Sequence, residues 1–320
     1  MEEAMPRCIV FGANGFIGSH VSAALLRAGH QVIACDITRD FSMIPRVPTG
    51  RLETVTVDFL DSALVRNVVR GAEWVFHLVA TTLPATSNAN MVFDIESNLA
   101  ASVHLLEACA DTGVSKLLFA SSGGTVYGSP TILPVSEEAA TDPIVSYGIT
   151  KLAIEKYCNL FTRLRGLKAV CLRLANAYGP RHVGSIQGAI PVFLKCILAG
   201  KPIVIWGDGS VVRDYVYVED VARAFQLAAE YAGEQRVINI GSGTGVSIRQ
   251  LLAEIEAVVQ RPCGVEFQGG RPFDISQIYL DIARARRELN WSPRVMLREG
   301  LQLTWNAMLE SGQSAVATAK

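Results

Sequence analysis

The sequence has little of what marks a nucleic-acid-binding, membrane or secreted protein. Its 29 Lys and Arg nearly balance its 30 Asp and Glu, so the formal net charge is −1 and no basic field is available for nucleic acid. Apolar stretches are broken by Gly, Pro or charge well before the roughly 18 residues of a membrane-spanning helix. Residues 1–3 lack the basic flank of a signal peptide. We therefore expect a compact cytoplasmic protein with neither nucleic-acid nor membrane partners.

Cysteine and histidine lack the spacings of disulfide frameworks and metal sites. The seven cysteines are odd in number, widely separated and never arranged as C-x-x-C, and most lie inside apolar runs. The five histidines show no metal-ligand spacing. We predict reduced cysteines in the core and no catalytic metal.

What the sequence does have is a series of short apolar runs that alternate with helical patterns. The runs that indicate strands are Cys8–Phe11, Gln31–Cys35, Leu52–Val57, Trp74–Leu78, Lys116–Ala120 and Ala169–Leu174. Alternation of this kind indicates parallel βαβ units, and continuously apolar strands suit a sheet covered by helices on both faces. The predicted fold is α/β, a doubly wound parallel sheet of the Rossmann type, with ligands at the carboxyl ends of the strands.

Glycine and proline become frequent after about Asn176, which indicates a second, smaller α/β lobe. We predict a dinucleotide-binding domain over residues 1–175, a substrate lobe over residues 176–310 and a frayed tail over residues 311–320. Segments 213–218 and 237–241 read as strands that could return to the main sheet, so the two lobes are expected to be partly interleaved.

A glycine-rich turn, GANGFIG at residues 12–18, follows the first apolar run and opens a helical pattern. Glycines there let the backbone approach a pyrophosphate, and the helix N-terminus offers free N–H groups and partial positive charge. Asp36 ends the second strand, where a carboxylate accepts hydrogen bonds from ribose and repels a 2′-phosphate. NAD is therefore favoured over NADP, although Arg39 weakens that preference. The spacing differs from the usual G-x-G-x-x-G, so a turn that binds nothing is the alternative.

Tyr147 and Lys151 are four residues apart in a segment that reads as a helix, so both side chains project from one face. A neighbouring ammonium and the positive nicotinamide ring of NAD would favour the phenolate of Tyr147. That phenolate could accept a hydroxyl proton while hydride leaves to the cofactor. An ordinary surface pair is the alternative, but together with the glycine turn the pair predicts hydride chemistry.

Several further motifs resemble those of extended short-chain dehydrogenase/reductases, specifically the NAD-dependent nucleotide-sugar epimerases and dehydratases. The resemblance covers nearly the whole chain and rests on Asp58–Phe59, 77–80 (HLVA), Asn98, 121–128 (SSGGTVYG), 176–181 (NAYGPR), 207–220 and 271–274 (RPFD). With the glycine turn and the Tyr–Lys pair, it implies NAD contacts from Gly12, Asn14, Gly15, Phe16, Ile17, Gly18, Asp36, Asp58, Phe59, Leu78, Val79, Ala80, Asn98, Ser121, Tyr147 and Lys151. It implies that a nucleotide-diphosphate sugar is bound by Asn176, Trp206, Arg213, Arg271 and Asp274.

The resemblance also implies a homodimer through a four-helix bundle, with two helices from each subunit. Segments 98–110 and 147–164 offer apolar residues at helical spacing for such an interface. These residues are Leu99, Val103, Leu106 and Ala110 in the first segment, and Leu152, Tyr157, Leu160 and Leu164 in the second.

One position departs from the family pattern, because Gly123 stands where the family has its catalytic Ser or Thr. We expect Ser122 to supply the missing hydroxyl, with Thr125 or a water as alternatives. Gly124 and Thr125 occupy the places of the acidic pair found in the dehydratases. The simplest remaining chemistry is 4-epimerisation of a UDP-hexose by oxidation at C4, rotation of the keto sugar and hydride return. A nucleotide-sugar reductase or dehydratase, or a dinucleotide-sensing regulator, is the alternative.

Overall fold

The computed structural model describes residues 5–45, 51–182, 188–270 and 275–317, with side chains up to residue 310. Its strands are β1 (Arg7–Phe11), β2 (Gln31–Asp36), β3 (Leu52–Thr56), β4 (Trp74–His77), β5 (Lys116–Ser122), β6 (Lys168–Leu174), β7 (Asn176–Tyr178), β8 (Ile203–Trp206), β9 (Val212–Tyr217), β10 (Val237–Ile240), β11 (Gly245–Ser247) and β12 (Val265–Gln268). The main sheet has the order β3-β2-β1-β4-β5-β6-β10, and all neighbouring strands are parallel. This order is the doubly wound one, so the predicted fold class is confirmed.

Helices connect these strands and cover both faces of the main sheet. They are α1 (Phe16–Arg27), α2 (Ser62–Val68), α3 (Met91–Asp94), α4 (Ala101–Thr112), α5 (Ser146–Arg165), α6 (Ala189–Leu198), α7 (Val218–Glu230), α8 (Ile248–Val259), α9 (Ala283–Leu289) and α10 (Leu297–Ala317). A 3-10 turn covers Ser87–Ala89, and a π-helical turn at Ile95–Ala100 joins α3 to α4. Helix α10 continues to Ala317, within the segment expected to be frayed.

The alternation of side chains along each strand divides the core of the first lobe into two layers. In β1, Ile9 and Phe11 join one buried cluster with residues of α4 and α5, whereas Cys8 and Val10 join the other with residues of α1 and α7. Both faces of the sheet are therefore buried against helices, which explains the nearly continuous apolar runs in the sequence.

The second lobe has its own core, but the chain enters and leaves it repeatedly. It is built from β7, α6, β8, β9, β11, α8, β12 and α10, and its buried residues include Tyr178, Phe193, Ile205, Leu251, Leu301 and Trp305. Between these elements the chain returns to the first lobe, because α7, β10 and α9 contribute Phe225, Ile240 and Ala285 to the core of the main sheet.

The two later segments that were expected to return to the main sheet behave differently. β10 does so, beside β6, whereas β9 pairs with β7 and β11 in a separate three-stranded sheet. Alternation along β9 explains its position, because Tyr215 and Tyr217 pack in the core of the second lobe and Val216 packs in that of the first. The expectation for segment 213–218 is therefore wrong, and β9 joins the two lobes.

One residue of the expected dimer surface is not available to a partner. Leu106 is 1% exposed and lies with Leu105 in the core beneath α4. Helical spacing identifies apolar stripes but does not say which stripe meets the sheet. Tyr157, Leu160 and Leu164 of α5 are exposed, as that expectation requires.

Two further observations concern membrane-spanning helices and the redox state of the cysteines. None of the helices in the described ranges is both long enough and apolar enough to cross a bilayer. All seven cysteines are free thiols.

Candidate active site

A cleft of about 400 Å³ lies at the carboxyl ends of β4, β5 and β6, next to the point where the strand order reverses between β1 and β4. It brings together many of the residues singled out from the sequence. Those lining it include Phe16, Ile17, Leu78, Ala80, Ser121, Ser122, Thr125, Tyr147, Lys151, Asn176 and Arg213. The parallel sheet therefore collects residues that are far apart in the chain at one edge.

The glycine turn between β1 and α1 is held by contacts that exclude side chains. Gly12 has a φ of +78°, and its N–H donates to Cys35 O at 2.9 Å. A Cβ on Gly18 would lie 1.9 Å from Gly12 O, and one on Gly15 would lie 3.1 Å from the same oxygen. No side-chain cap occupies the N-terminus of α1, so its N–H groups are available to an anion. The turn fits the pyrophosphate of a dinucleotide.

Asp36 is held beside this turn at the end of β2. Its Oδ2 accepts a hydrogen bond from the backbone N–H of Asn14 at 2.9 Å. The side chain of Asn14 in turn accepts from the N–H of Met43 at 3.1 Å. Asp36 remains half-buried, so its carboxylate can also accept from a ribose hydroxyl.

Asp58 and Phe59 have structural partners and do not line the cleft. Asp58 Oδ1 accepts from the N–H of Leu60 at 2.9 Å and so caps a turn. The ring of Phe59 packs on those of Phe11 and His77, with centroid separations of 5.5 and 4.9 Å. Their cofactor contacts stay predictions.

The segment after β4 follows one wall of the cleft and is held from behind by Asn98. Leu78 and Ala80 line the cleft, whereas Val79 packs against the core. Asn98 accepts from the N–H of Thr81 at 3.0 Å through Oδ1 and donates to the hydroxyl of the same residue at 2.7 Å through Nδ2. The structure therefore shows Asn98 as a support of this wall.

Helix α5 presents Tyr147 and Lys151, and its first turn is capped by side chains from a distant segment. The N–H of Tyr147 donates to Ser87 Oγ at 3.0 Å, and the N–H of Ser146 donates to Asn88 Oδ1 at 2.9 Å. These bonds satisfy N–H groups that a helix leaves free at its start. They also fix the position of Tyr147 relative to the cleft wall.

Lys151 lies one turn further along α5, on the same side as Tyr147. Its Nζ donates to Ala120 O, at the end of β5, at 2.9 Å. The same nitrogen is 5.5 Å from the centroid of the Tyr147 ring and 4.7 Å from that of Phe119. The predicted pairing of an ammonium with a tyrosine on one helix face is therefore present.

Burial dominates the electrostatics of the Tyr147–Lys151 pair. Burial, and secondarily the carboxylate of Asp94, raise the pKa of Tyr147 to about 12. Burial lowers the pKa of Lys151 to about 8, against the opposing effects of Asp94 and Glu155. The protein groups thus keep Tyr147 a phenol at neutral pH, and any phenolate must be favoured by additional positive charge.

The hydroxyl groups near the cleft have different environments. Ser121 donates to the carboxylate of Glu155, which forms a buried ion pair with Arg173 at 2.7 Å, so its hydroxyl is already engaged. Ser122 is half-buried and lines the cleft. Thr125 Oγ1 is buried and has no hydrogen-bond partner within the described ranges. Ser122 therefore offers the accessible hydroxyl.

Gly123 does not line the cleft. A Cβ at this position would lie 2.6 Å from Leu280 Cδ1 and 3.2 Å from Arg173 O. A side chain would therefore point at Leu280 and not at the cleft. Packing disfavours a side chain at this position, whereas the backbone does not, because the φ of Gly123 lies outside the left-handed region.

A second cavity, of about 300 Å³, adjoins the cleft in the second lobe. It is lined by Trp206, which is 41% exposed, and by Phe193, Tyr215 and Ile248, among others. Asn176 and Arg213 line both cavities and stand between them. Arg213 is fixed by donation from Nη1 to Ile275 O at 2.7 Å, and Asn176 by donation from Nδ2 to Asp214 O at 3.2 Å. Arg271 and Asp274 lie outside the described residues.

Two residues of the site were not identified from the sequence. Asp94 is fully buried beside α5, and its position four residues before Asn98 was the available signal, because such residues share a helix face. His182 stacks on Phe16 at 4.1 Å, and burial lowers its pKa to about 4, so it is neutral at pH 7.

Through the described ranges, no group of three or more His, Cys, Asp or Glu is placed to hold a metal ion.

The sheet order, glycine turn and tyrosine–lysine pair define a dinucleotide-dependent enzyme of the short-chain dehydrogenase/reductase type. More narrowly, the chain belongs to the NAD dependent epimerase/dehydratase family, whose model matches residues 8–241. It is 37% identical over 303 residues to the UDP-glucose 4-epimerase of Mycolicibacterium smegmatis, covering 93% of this chain and 97% of that protein. It is also 32% identical to a dTDP-4-dehydro-6-deoxyglucose reductase of Escherichia coli, with coverage of 92% and 94%. A solved UDP-glucose 4-epimerase of Thermotoga maritima with UDP-glucose is similar at a TM-score of 0.90 and 35% identity, covering 95% of this chain and 99% of that one.

The packing around Gly123 predicts the effect of restoring the family hydroxyl there. Gly123→Ser should lower the free energy of unfolding by about 1–3 kcal/mol, the usual range for overpacking, without raising activity. Thermal and denaturant unfolding measure this, and in a Leu280→Ala background the further cost of adding Gly123→Ser should be smaller. Gly124→Ser is the matched control, because a Cβ there meets nothing within 4 Å. A stable Gly123→Ser protein with higher kcat would contradict the packing argument.

Proposed function

We propose that this protein is a 4-epimerase of a nucleotide-diphosphate sugar, with a UDP-hexose as its substrate and NAD retained through turnover. The observation that carries the proposal is the composition of the cleft. Tyr147 and Lys151 face it, and its described lining contains no Asp or Glu that could act as the second acid and base of a dehydratase. Transfer of hydride from C4 and its return are the reaction that these groups can support.

The cofactor fits the first lobe. The glycine turn and the uncapped start of α1 would hold the pyrophosphate, and Asp36 would accept from the adenosine ribose. The nicotinamide end would then lie in the cleft beside Tyr147 and Lys151. NAD, when bound, supplies the acceptor and donor of hydride and a positive charge near Tyr147.

The substrate would span the two cavities. Arg213 and Asn176 stand between them, where a guanidinium fork and an amide can hold a diphosphate. The nucleoside would lie against Trp206, and the sugar would reach Tyr147. Because the diphosphate and nucleoside anchor one end, the sugar could rotate and present its other face while it stays bound.

The residues of the cleft have separate tasks in this reaction. Tyr147 accepts the proton of the C4 hydroxyl and later returns it. The ammonium of Lys151 stabilises the phenolate that Tyr147 then carries, adding to the positive charge of the cofactor. Ser122 donates a hydrogen bond to the oxygen at C4.

A nucleotide-sugar reductase is the second candidate, because one relative with 32% identity over nearly the whole chain has a reductase name. The two activities share the same site and differ in stoichiometry. A reductase consumes one reduced cofactor for each turnover, whereas an epimerase consumes none.

Purified protein should interconvert C4 epimers in a panel of UDP-hexoses, their N-acetyl forms and their uronates without added reductant. Product separation by chromatography measures this, and Tyr147→Phe is the matched control because it keeps the ring and removes the proton acceptor. The variant should lose several orders of magnitude in kcat while NAD and substrate still bind. Appearance of a 4-keto-6-deoxy sugar, or of stoichiometric cofactor oxidation, would replace the epimerase proposal with a dehydratase or a reductase.

The hydroxyl assignment is tested separately. Ser122→Ala should lower kcat by about 10- to 1000-fold, the range for loss of one positioned donor. Thr125→Ala should cost little, because the Thr125 hydroxyl is buried and makes no hydrogen bond within the described residues, although the residue lines the cleft. Steady-state kinetics of the two variants compares them, and the reverse order would assign the role to Thr125.

We also propose a homodimer that pairs α4 and α5 with their symmetry mates. On α5, Tyr157, Leu160 and Leu164 are 38%, 44% and 71% exposed, and a contiguous exposed apolar stripe of this kind favours burial in a bundle. Light scattering at micromolar concentration should give the mass of two chains, and Leu160→Arg should give that of one. Ile132→Arg, at an exposed isoleucine outside these helices, should leave the dimer intact. A monomer mass for the unaltered protein would overturn this proposal.

A further inference from the structure

Asp94 is a fully buried carboxylate at the junction of three segments next to the cleft. Its Oδ1 accepts from the hydroxyl of Thr82 at 2.5 Å, after β4, and from Asn98 Nδ2 at 2.9 Å, in the π-helical turn. Its Oδ2 accepts from the hydroxyls of Ser146 at 2.6 Å and Thr150 at 3.4 Å, both on α5. One carboxylate thus joins the cleft wall, the turn that supports it and the helix that presents Tyr147.

The contacts on α5 flank the tyrosine. Ser146 precedes Tyr147, and Thr150 follows it by three residues. The single hydroxyl proton of Thr150 is shared between Asp94 Oδ2 at 3.4 Å and Tyr147 O at 3.0 Å. Because Asp94 holds both neighbours, it fixes the rotation and the depth of the first turn of α5. A shift of this turn would move the Tyr147 hydroxyl relative to the sugar, and small displacements of this kind are costly in catalysis.

The hydrogen bonds to Asp94 require two accepting oxygens. Two donors bond to Oδ1 and two to Oδ2, and all four are neutral hydroxyl or amide groups. A carboxylate accepts at both oxygens, whereas an amide accepts at only one and a hydroxyl has only one oxygen. The carboxylate that meets this requirement also acts electrostatically on Tyr147 and Lys151.

The titratable groups around Asp94 are few. Those on α5 are Tyr147, Lys151 and Glu155, and Glu155 is engaged with Arg173 and Ser121. From β4 comes His77, which burial keeps neutral because its pKa is well below the ordinary value. On the π-helical turn, Glu96 is exposed to solvent.

We propose that Asp94 is a positioning residue for the proton transfer: through Ser146 and Thr150 it holds the first turn of α5, and with it Tyr147, against the wall of the cleft. The inference rests on the proposed function only in assigning proton transfer to Tyr147 and Lys151. Asp94 does not line the cleft, and it acts through Tyr147 and Lys151.

The direction in which Asp94 shifts the pKa values of Tyr147 and Lys151 follows from its negative charge. A buried negative charge raises the pKa of Tyr147, because it disfavours the phenolate, and it raises the pKa of Lys151, because it favours the ammonium. Removing it should lower both values. If the two groups govern the acidic and basic limbs of the rate profile, both limbs should move to lower pH together.

Asp94→Asn is the direct test, because it keeps the size of the side chain and removes the charge together with one of the two accepting oxygens. The kcat–pH profile should move to lower pH by about one unit, a usual size for the effect of one nearby charge. Ultraviolet difference titration of the tyrosinate, with Tyr147→Phe subtracted, should show the same direction of shift without any turnover. That titration stands even if the panel of sugars yields no epimer, so failure of this inference and failure of the proposed function are distinguishable.

Ser146→Ala is the matched control, because it removes one hydrogen bond to Asp94 and keeps the charge of Asp94; Thr150→Val is a second control that also removes the hydrogen bond to Tyr147 O. Each should lower kcat about 3- to 30-fold, with KM and the pH profile unchanged, as expected for lost positioning. If Asp94→Asn does not fold, Ser146→Ala carries the test, and an unaltered kcat in that variant would overturn the inference. A folded Asp94→Asn protein whose tyrosine titration and pH profile both match the unaltered protein would overturn it as well.

Discussion

The parallel pairing of the main sheet is the constraint on which the rest of the structure depends. Since every strand of that sheet runs in the same direction, all of their carboxyl ends lie at one edge, and loops from distant parts of the chain must meet there. Parallel pairing in turn requires crossover helices, and these bury both faces of the sheet. Because the strands are fixed on both sides, the loops at their ends are held by a rigid base.

Within that arrangement, helix α5 depends on partners supplied by other segments. The first N–H groups of this helix donate to Asn88 and Ser87, and the hydroxyl of Ser146 donates to Asp94; none of these three partners belongs to α5. The N-cap residue, Val145, is apolar and offers no side-chain cap of its own. Tyr147 is thus placed by the segment after β4, and the wall of the cleft and this tyrosine are positioned by the same contacts.

The sequence was sufficient for features that depend on local pattern. The order of strands and helices, the glycine turn and the Tyr147–Lys151 pair follow from short spacings and apolar periodicity, and all are present in the structure. Features that depend on contacts between distant residues could not be predicted from the sequence. The pairing of β9, the inward position of Leu106 and the approach of Leu280 to Gly123 depend on which surfaces meet, and periodicity does not contain that information.

The electrostatics of the pair could not be read from the sequence for a related reason. The proximity of Lys151 to Tyr147 could be anticipated from their spacing, but the burial of Tyr147 and the carboxylate of Asp94 could not, because both arise from the packing of other segments around α5. A titration depends on the whole environment of a group. Spacing in a helix specifies one neighbour only.

The interleaved path of the chain limits how a protein of this kind can be recombined. The second lobe is not a continuous segment, since α7, β10 and α9 return to the first lobe between its elements. A gene fusion that exchanged one contiguous block would cut through both cores and leave each incomplete. New substrate preferences in this architecture should therefore arise by replacement of individual residues and loops. In a library made by recombining related genes, variants with crossovers at the junctions between the lobes should fail to fold.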